Sequence, residues 1–453
     1  MKINKPITCA LLTLGLVSAA GIAKADSTVQ IGGVTYNEVF MCGSTAARGN
    51  IFNAVTTSLF DGNSYTTVPA TGVSSSTGAF DIYGKIGGVN YCLCFDWTGS
   101  EAGLWALQHL ANGIPNPVAG STLNGNPGYP NAVIPGTPSP NGFVDPTGNG
   151  STLLPAEKAD LAMSDTSQSV SLSPVSLGYA ALLDYGCVGA VTFEWCKGNN
   201  TSPDSSWNHM VNITDPQANY LMSGPQHAYF ITGNPGDGDD VYCVGRNKAS
   251  GTHQNTCLDT LHGTTVAVDQ YVANSCTYNS SGQLTLGNTN SLVSQGGIDE
   301  VFNDGFDSGS GVSGTLVCDE AGYNDGNTNV VMVGYLGIGD ANNAIKYGAV
   351  KLSLNGVYED DAAVEDGNYS FWGHEHLYAT PSADSTVKAL ATALVGSNNG
   401  VFGSGSTLGG ALAAGGQLGG GGAGTAQSTI IAPKYMAADK PSGGDAGYAA
   451  PLQ

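Results

Sequence analysis

The stretch VFMCGSTAAR, residues 39–48, joins an apolar run to a loop of small and hydroxyl residues. Apolar residues then recur at helical spacing over 51–60, so the pattern predicts a strand, a Gly-Ser-Thr loop and a helix. A helix N-terminus presents free backbone N–H groups and the positive end of the helix dipole, which together favour an anion. This stretch therefore predicts an α/β unit with an anion site at the end of its strand.

Similar units recur along the chain. The predicted strand 89–95 leads to a Gly-Ser loop and a helix, and the strand 241–244 leads to the loop RNKASGT, residues 246–252. The chain contains only two arginines, and both lie beside such loops: Arg48 and Arg246. Guanidinium groups suit oxyanions because their donors form paired, charge-assisted hydrogen bonds. The sequence therefore predicts an oxyanion-binding protein.

The alternation of strands and helices predicts an α/β protein of two domains, with a ligand cleft between two mostly parallel sheets. Further strands are predicted at 159–164, 188–195, 330–338 and 369–378, and helices after 252 and at 382–395. The chain would cross between the domains at 188–195 and 369–378. The predicted domain 1 therefore comprises 26–189 and 367–453, and domain 2 comprises 190–366.

Two segments of the predicted domain 1 differ in composition from the rest. Residues 114–154 hold eight of the 20 prolines and are predicted to form an ordered insertion loop. Residues 403–424 are rich in glycine and are predicted to form a flexible surface segment.

The N-terminus has the pattern of an export signal. Lys2 and Lys5 precede an apolar run over 7–22, and Ala-Lys-Ala at 23–25 is a small-x-small cleavage site. Residues 1–25 are thus predicted to be a signal peptide, giving a mature chain in the periplasm or at the cell surface. No later apolar run reaches 18 residues, so we predict no membrane insertion of the mature chain.

The charge of the chain limits its partners. A net charge of −22 argues against nucleic acid and anionic lipid. An anionic ligand remains compatible with this surface, because donors in a closed cleft outweigh a surface field that salt screens.

The cysteines suit an oxidising compartment, in which disulfides persist. Sequence proximity suggests the pairs Cys187/Cys196 and Cys243/Cys257, and more loosely Cys276/Cys318. One of the three cysteines predicted on neighbouring strands, Cys42, Cys92 and Cys94, would stay free. Connectivity does not follow from sequence alone.

Taken in order, these segments resemble the periplasmic phosphate-binding proteins of phosphate ABC importers, a family with the type II periplasmic-binding fold. The resemblance covers roughly residues 38–395, apart from 114–154. The matching segments are GSTA at 43–46, GSEAG at 99–103, AMSD at 162–165, RNKASGT at 246–252, VGYL at 333–336 and DGNY at 366–369.

The resemblance implies an inorganic phosphate ligand, no cofactor, no catalysis and an ABC importer as a partner. The implied phosphate ligands are Ser44, Thr45, Ala46, Ser100, Asp165, Arg246, Ser250, Gly251 and Thr252. Asp165 would accept the proton of a P–OH group, which sulfate lacks at neutral pH, and would thereby reject sulfate.

The chain departs from the family at two places. The family often has an acidic residue between its arginine and Ser-Gly-Thr, where this chain has Asn-Lys-Ala at 247–249. Arg48 stands where the family usually has an apolar residue or proline, and it is either a solvated helix residue or a ligand contact. A larger phosphorylated ligand or another oxyanion therefore stays open.

Several other features suggest alternatives. A secreted hydrolase would need a base, and His253 is the nearest candidate in sequence; a structural or adhesive surface protein is the other alternative. Strand alternation places His374 and His376 on one face, but without a third ligand we predict no metal site. Ser-Gly-Thr at 313–315 lacks a preceding arginine and is predicted to be a loop. The acidic turns at 237–240 and 303–307 lack EF-hand spacing.

Overall fold

A computed structural model provides the structure of the chain. The described residues are 28–69, 79–97, 99–111, 146–147, 159–168, 181–247, 250–264, 266–273, 276–278, 284–286, 292–294, 309–318, 330–396, 402–403, 408–414, 430–440 and 450–451. The predicted signal peptide, most of the insertion loop and Lys248 lie outside these residues.

The described strands range from two to 15 residues in length. In chain order they are β1 Thr28–Ile31, β2 Val34–Gly43, β3 Tyr65–Pro69, β4 Phe80–Ile86, β5 Val89–Asp96, β6 Leu161–Ser164, β7 Leu183–Lys197, β8 Asn212–Ile213, β9 Gln226–His227, β10 Asp240–Val244, β11 Tyr271–Ala273, β12 Cys276–Tyr278, β13 Leu284–Leu286, β14 Leu292–Ser294, β15 Val330–Gly337, β16 Val350–Lys351, β17 Ser353–Leu354, β18 Trp372–Ala379, β19 Ile430–Ile431, β20 Ala438–Asp439 and β21 Ala450–Pro451.

The α-helices lie between these strands and follow the main predicted loops. They are α1 Arg48–Ala54, α2 Ser100–Ala111, α3 Ser205–His209, α4 Asp215–Met222, α5 Tyr229–Thr232, α6 Gly251–Asp259, α7 Gly309–Val317, α8 Ile338–Lys346, α9 Asp361–Glu365, α10 Ser385–Val395 and α11 Ala411–Ala414. A π-helical turn, Val55–Leu59, continues α1, and short 3-10 turns lie at Asp61–Asn63 and Pro433–Tyr435.

The main sheet forms one hydrogen-bonded path in the order β3-β4-β5-β2-β6-β18-β7-β15-β10-β9. The prediction of an α/β fold is confirmed. The prediction of mostly parallel sheets needs correction, because only the pairs β2–β5, β2–β6 and β10–β15 of this path are parallel. The pairs β3–β4 and β4–β5 at the outer edge are antiparallel, as are both pairs that β18 makes when the chain returns beside β6 and β7. The pairs β7–β15 and β10–β9 are antiparallel too.

β7 connects the two ends of the path. Its first part, up to Thr192, pairs with β18, and its last residues, from Phe193 to Lys197, pair with β15. The predicted boundary between 189 and 190 falls inside this strand, so the division into two domains stays a prediction.

Aromatic side chains fill the core where β7 changes partner. The rings of Trp195 and Tyr335 have centroids 5.4 Å apart, and those of Phe193 and Phe371 are 5.2 Å apart. All four side chains are buried, and aromatic pairs at such distances add to the stabilisation that comes from burial itself. This packing holds the two parts of the sheet together next to the loop that follows β10, where Tyr335 contacts the carbonyl of Arg246.

Two loop predictions were wrong. Ser-Gly-Thr at 313–315 lies inside α7, where apolar neighbours such as Val312 and Leu316 pack into the core. The glycine-rich segment 403–424 includes α11, and its Leu412 is buried in the core beside α1 and α10. Burial of these few apolar side chains stabilises α11 despite the surrounding glycines.

Both close disulfide predictions were also wrong, since Cys187, Cys196, Cys243 and Cys257 are all reduced thiols. Cys187 and Cys196 lie nine residues apart on β7, a separation of roughly 30 Å along an extended strand, whereas a disulfide needs Cα atoms about 6 Å apart. Cys318 is disulfide-bonded; its predicted pairing with Cys276, whose side chain is outside the described residues, stays a prediction. Cys42, Cys92 and Cys94 are all buried reduced thiols, so the expectation that only one of the three stays free was wrong as well.

Among the described residues, no helix combines the length and apolar character that crossing a membrane requires.

Candidate functional site

The first predicted loop begins where β2 ends. Gly43 has φ 112°, and a Cβ there would lie 2.0 Å from the carbonyl oxygen of Met163, so only glycine fits against β6. The next residue, Ser44, is buried, and its backbone N–H donates to the same Met163 oxygen at 2.8 Å. Thr45 and Ala46 follow half-buried in the turn before α1.

The second predicted loop lies directly beside the first. The backbone N–H of Gly99 donates to the carbonyl of Gly43 at 2.8 Å. Ser100 then begins α2 and is buried, and its hydroxyl accepts a hydrogen bond from the backbone N–H of Asp165 at 3.2 Å. Three segments that are distant in sequence therefore meet at the carboxyl ends of β2, β5 and β6.

Asp165 connects these segments to α6. Its backbone carbonyl accepts a hydrogen bond from the Asn255 side chain at 3.0 Å, and a Cβ on Gly251 would lie only 1.3 Å from its Oδ1. The carboxylate therefore lies against the first residue of α6, where the helix dipole stabilises negative charge. Asn255, which sequence analysis did not single out, helps to hold it there.

Ser250 occupies the N-cap position of α6, but its side chain forms no capping hydrogen bond. Ser250, Gly251 and Thr252 are all buried. The start of α6 thus combines backbone N–H groups with two buried hydroxyls beside the Asp165 carboxylate. Such a group of donors suits an oxyanion.

Arg246 is buried, and its backbone is fixed by three side chains. Its carbonyl accepts hydrogen bonds from Nδ1 of His253 at 2.7 Å, from the hydroxyl of Tyr335 at 3.2 Å and from Nε2 of Gln270 at 3.2 Å. Tyr335 belongs to the VGYL segment of the family resemblance. These contacts place Arg246 at the end of β10 with little freedom in its backbone.

His253, the candidate base of the hydrolase alternative, has a structural role. Besides the Arg246 carbonyl and the Tyr335 hydroxyl, its ring contacts Sγ of Cys257 from Nε2 at 3.5 Å. Both ring nitrogens are therefore engaged inside the protein.

Asp340 is an acidic residue near both arginines that sequence analysis missed. It lies in the first turn of α8. Burial raises the pKa of its carboxyl, while the charges of Arg246 and Arg48 act in the opposite direction. Arg48, the first residue of α1, is half-buried rather than fully solvated. Asp340 thus supplies from a distant helix the acidic neighbour that residues 247–249 lack.

Glu375 is a second missed residue. It is fully buried on β18, and the hydroxyl of Ser44 donates to its Oε2 at 2.9 Å. Burial first, and then the negative charge of Asp165, raise the pKa of the Glu375 carboxyl well above its usual range, while the hydrogen bond from Ser44 acts in the opposite direction. Its Oε1 is buried and has no hydrogen-bond partner among the described residues. The alternation of side chains along a strand could have pointed to Glu375, because it places Glu375 on the face opposite to that of His374 and His376.

A further network supports the end of β6. The hydroxyl of Thr166 donates to Oε1 of the buried Glu101 at 2.6 Å and lies 3.0 Å from the hydroxyl of Ser164. These hydrogen bonds connect α2 to the residues on either side of Asp165.

A separate cavity of about 450 Å³ lies among β1, β3 and β4 at the outer edge of the sheet. None of its ten lining residues is charged, so it lacks the cationic donors that an oxyanion requires. The converging loops, and not this cavity, form the candidate site.

Comparisons with known proteins give only distant similarities. No protein-family model matches the sequence, and no curated protein matches it.

Solved structures similar to the chain include PstS from Borrelia burgdorferi, with 13% identity, 78% of this chain and 90% of that chain covered, and a TM-score of 0.33. An ABC-type phosphate transport receptor from Vibrio cholerae has 13% identity, 78% and 91% coverage and a TM-score of 0.37. A putative phosphate ABC transporter substrate-binding protein with bound phosphate from Clostridium perfringens has 12% identity, the same coverages and a TM-score of 0.37. Similarities this weak assign neither function nor ligand to this chain.

Proposed function

We propose that the chain is an exported solute-binding protein that captures inorganic phosphate between the loop ends of β2, β5 and β6 and the start of α6. The observation that carries this proposal is the contact of Asp165 with Gly251, which joins segments separated by more than 80 residues. Ser44 and Ser100 belong to the same hydrogen-bonded cluster. The proposed ligands remain Ser44, Thr45, Ala46, Ser100, Asp165, Arg246, Ser250, Gly251 and Thr252.

The chemistry of this cluster supports a protonated oxyanion. The start of α6, the buried hydroxyls and Arg246 supply donors, while the Asp165 carboxylate supplies an acceptor. Phosphate carries at least one proton near neutral pH and satisfies both kinds of group, whereas sulfate presents only acceptors. A sulfate oxygen facing the Asp165 carboxylate would leave two acceptors without a proton between them, and buried polar groups without partners cost free energy. The pairing of donors with one carboxylate therefore supports phosphate over sulfate.

Binding is supported over catalysis by the contacts of His253, the candidate base. Both of its ring nitrogens are engaged inside the protein, Nδ1 with the Arg246 carbonyl and Nε2 with Sγ of Cys257. An activated nucleophile needs an available base within hydrogen-bonding reach. We therefore propose a receptor in the periplasm or at the cell surface, with an ABC importer as its partner.

Isothermal titration of the chain from residue 26 onward with phosphate, sulfate and arsenate tests this function. We expect one phosphate per chain, competition by arsenate, which has the same shape and protonation, and sulfate binding weaker by roughly 10–100-fold. Folded protein that gives no heat with phosphate would contradict the proposal. Release of phosphate from a phosphate ester by the same preparation would favour the hydrolase instead.

A further inference from the structure

A cluster of three metal-ligating side chains lies on the neighbouring strands β7 and β18. Cys187, His374 and His376 each offer one ligand atom, and these atoms lie within 4.8 Å of one another. His376 is paired in register with Cys187, and His374 lies two residues away on the same strand. Alternation along a strand places His374 and His376 on one face.

A β-bulge brings the cysteine to the histidines. Glu375 is paired with Gly189, but His376 is paired with Cys187, so Val188 has no partner in the ladder. Without this extra residue, Val188 would stand opposite His376. Bulges re-aim side chains in this way and often occur at functional sites.

Each histidine also has a carboxylate partner. Nδ1 of His376 lies 3.0 Å from Oδ2 of Asp184, and Nε2 of His374 lies 2.9 Å from Oδ1 of Asp439. Carboxylates in these positions fix the orientation of metal-binding imidazoles and increase their basicity.

The remaining nitrogen of His376 is available for a ligand. Nδ1 of His376 is held by Asp184, and the side chain is only 9% exposed. Its Nε2 is buried and has no hydrogen-bond partner among the described residues. A buried nitrogen without a partner is costly unless a ligand satisfies it. Cys187 is only half-buried.

We propose that Cys187, His374 and His376 bind a divalent transition-metal ion, with zinc as the preferred ion. One thiolate and two imidazoles are a donor set that zinc favours, and a water completes four-coordination. Zinc bond lengths place such ligand atoms about 3.5 Å apart, so the three side chains close by about 1 Å on binding. The Cys187 thiol loses its proton to the solvent as the Zn–S bond forms.

This site is distinct from the proposed phosphate site, although both use β18. Glu375 contacts Ser44, whereas the histidines on either side of it belong to the metal cluster. The metal proposal therefore does not depend on the identity of the anion.

Cobalt provides a direct spectroscopic test. Chelator-treated chain from residue 26 onward is titrated with Co²⁺, and we expect one equivalent to produce a near-ultraviolet sulfur-to-cobalt charge-transfer band that one equivalent of Zn²⁺ removes. Cys187→Ser should abolish the band, whereas Cys196→Ser, a matched control on the same strand, should retain it. Asp184→Asn should weaken zinc binding by about 10–100-fold while retaining the band, because Asp184 acts by positioning His376.

A second measurement uses the unmutated protein. Zinc should protect Cys187 from alkylation by iodoacetamide, as read by peptide mass spectrometry, and phosphate alone should not. The proposal is overturned if folded protein shows no charge-transfer band and no zinc protection, or if the band survives Cys187→Ser.

Discussion

The carboxylate of Asp165 lies against the backbone of Gly251: a Cβ on this glycine would be 1.3 Å from Oδ1 of the aspartate. Asp165 follows β6 and Gly251 begins α6, so this contact joins the two parts of the proposed phosphate site. Any side chain at position 251 forces the carboxylate away from the start of the helix.

We expect Gly251→Ala to weaken phosphate binding at least tenfold without unfolding the protein. Alanine favours helix formation over glycine by roughly 0.5–1 kcal/mol, so the loss would arise from displacement of Asp165. Gly49→Ala is the matched control, because this glycine of α1 has open space where its Cβ would lie. Titration calorimetry and thermal unfolding of both variants provide the test. Wild-type affinity in Gly251→Ala would show that the ligand does not use this contact.

Asp165→Asn should reduce the discrimination between phosphate and sulfate. The substitution replaces an acceptor by an amide that also donates, so an oxyanion without a proton no longer faces a carboxylate. A hydrogen bond to a charged group contributes about 1.5–3 kcal/mol, and we expect the ratio of phosphate to sulfate affinity to fall by roughly 10–100-fold. Asp366→Asn, on an exposed residue, controls for the loss of one negative charge. An unchanged ratio would remove Asp165 from its selective role.

Arg246 should contribute more binding free energy than Arg48. Arg246 is buried and its carbonyl is fixed by three hydrogen bonds, whereas Arg48 is half-buried at the start of α1. Loss of a buried charged partner typically costs about 2–5 kcal/mol, so Arg246→Ala should raise the Kd for phosphate by about two orders of magnitude or more. Arg48→Ala should have a smaller effect in the same titration. Equal losses would contradict this ranking.

Local patterns predicted the strands and loops of the site because each loop is built from consecutive residues. The segment from Gly43 to Ala46, the Ser100 helix start and the Arg246 loop all lie at the ends of predicted strands. Glu375 and Asp340 were missed because they reach the site through tertiary packing from elements much later in the chain. Their chemistry depends on burial and neighbouring charges, which a sequence does not display.

Pairing between distant strands was the other limit. Alternating strands and helices predicted the α/β class, but the antiparallel arrangement of β18 with β6 and β7 depends on where the chain returns. The same limit applies to Cys187: proximity in sequence suggested Cys196 as its partner, whereas a bulge between β7 and β18 places it beside His376. Both the direction of β18 and the neighbour of Cys187 therefore depend on how distant strands pair, which local sequence patterns do not specify.

Phosphate should shift the protein toward a more compact state. Ser44, Ser100 and Asp165 follow strands on one side of β7, and Arg246 and Thr252 follow β10 on the other side. A ligand that contacts both groups binds the closed arrangement more tightly and therefore increases its population. Small-angle scattering should give a smaller radius of gyration with saturating phosphate, and Arg246→Ala should show no change at the same concentration. An unchanged radius in the wild type would indicate a cleft that is closed before binding.

The buried carboxyl of Asp96, at the end of β5, should make stability depend on pH. Burial raises its pKa from 3.8 to about 7, so between these values the folded state retains a proton that the unfolded state has lost. The free energy of unfolding contributed by this group therefore falls as pH rises through that window. Asp96→Asn removes this dependence, and its stability relative to wild type should increase by about 2–3 kcal/mol between pH 5 and pH 8.

Urea unfolding of the Asp96→Asn variant and the wild type at both pH values measures this difference, and comparing the two pH values cancels any packing cost of the asparagine. Asp366→Asn, the same charge change on the surface, should show a much smaller pH-dependent difference. If the two variants behave alike, Asp96 is ionised in the folded protein at pH 5 and its burial does not control its protonation.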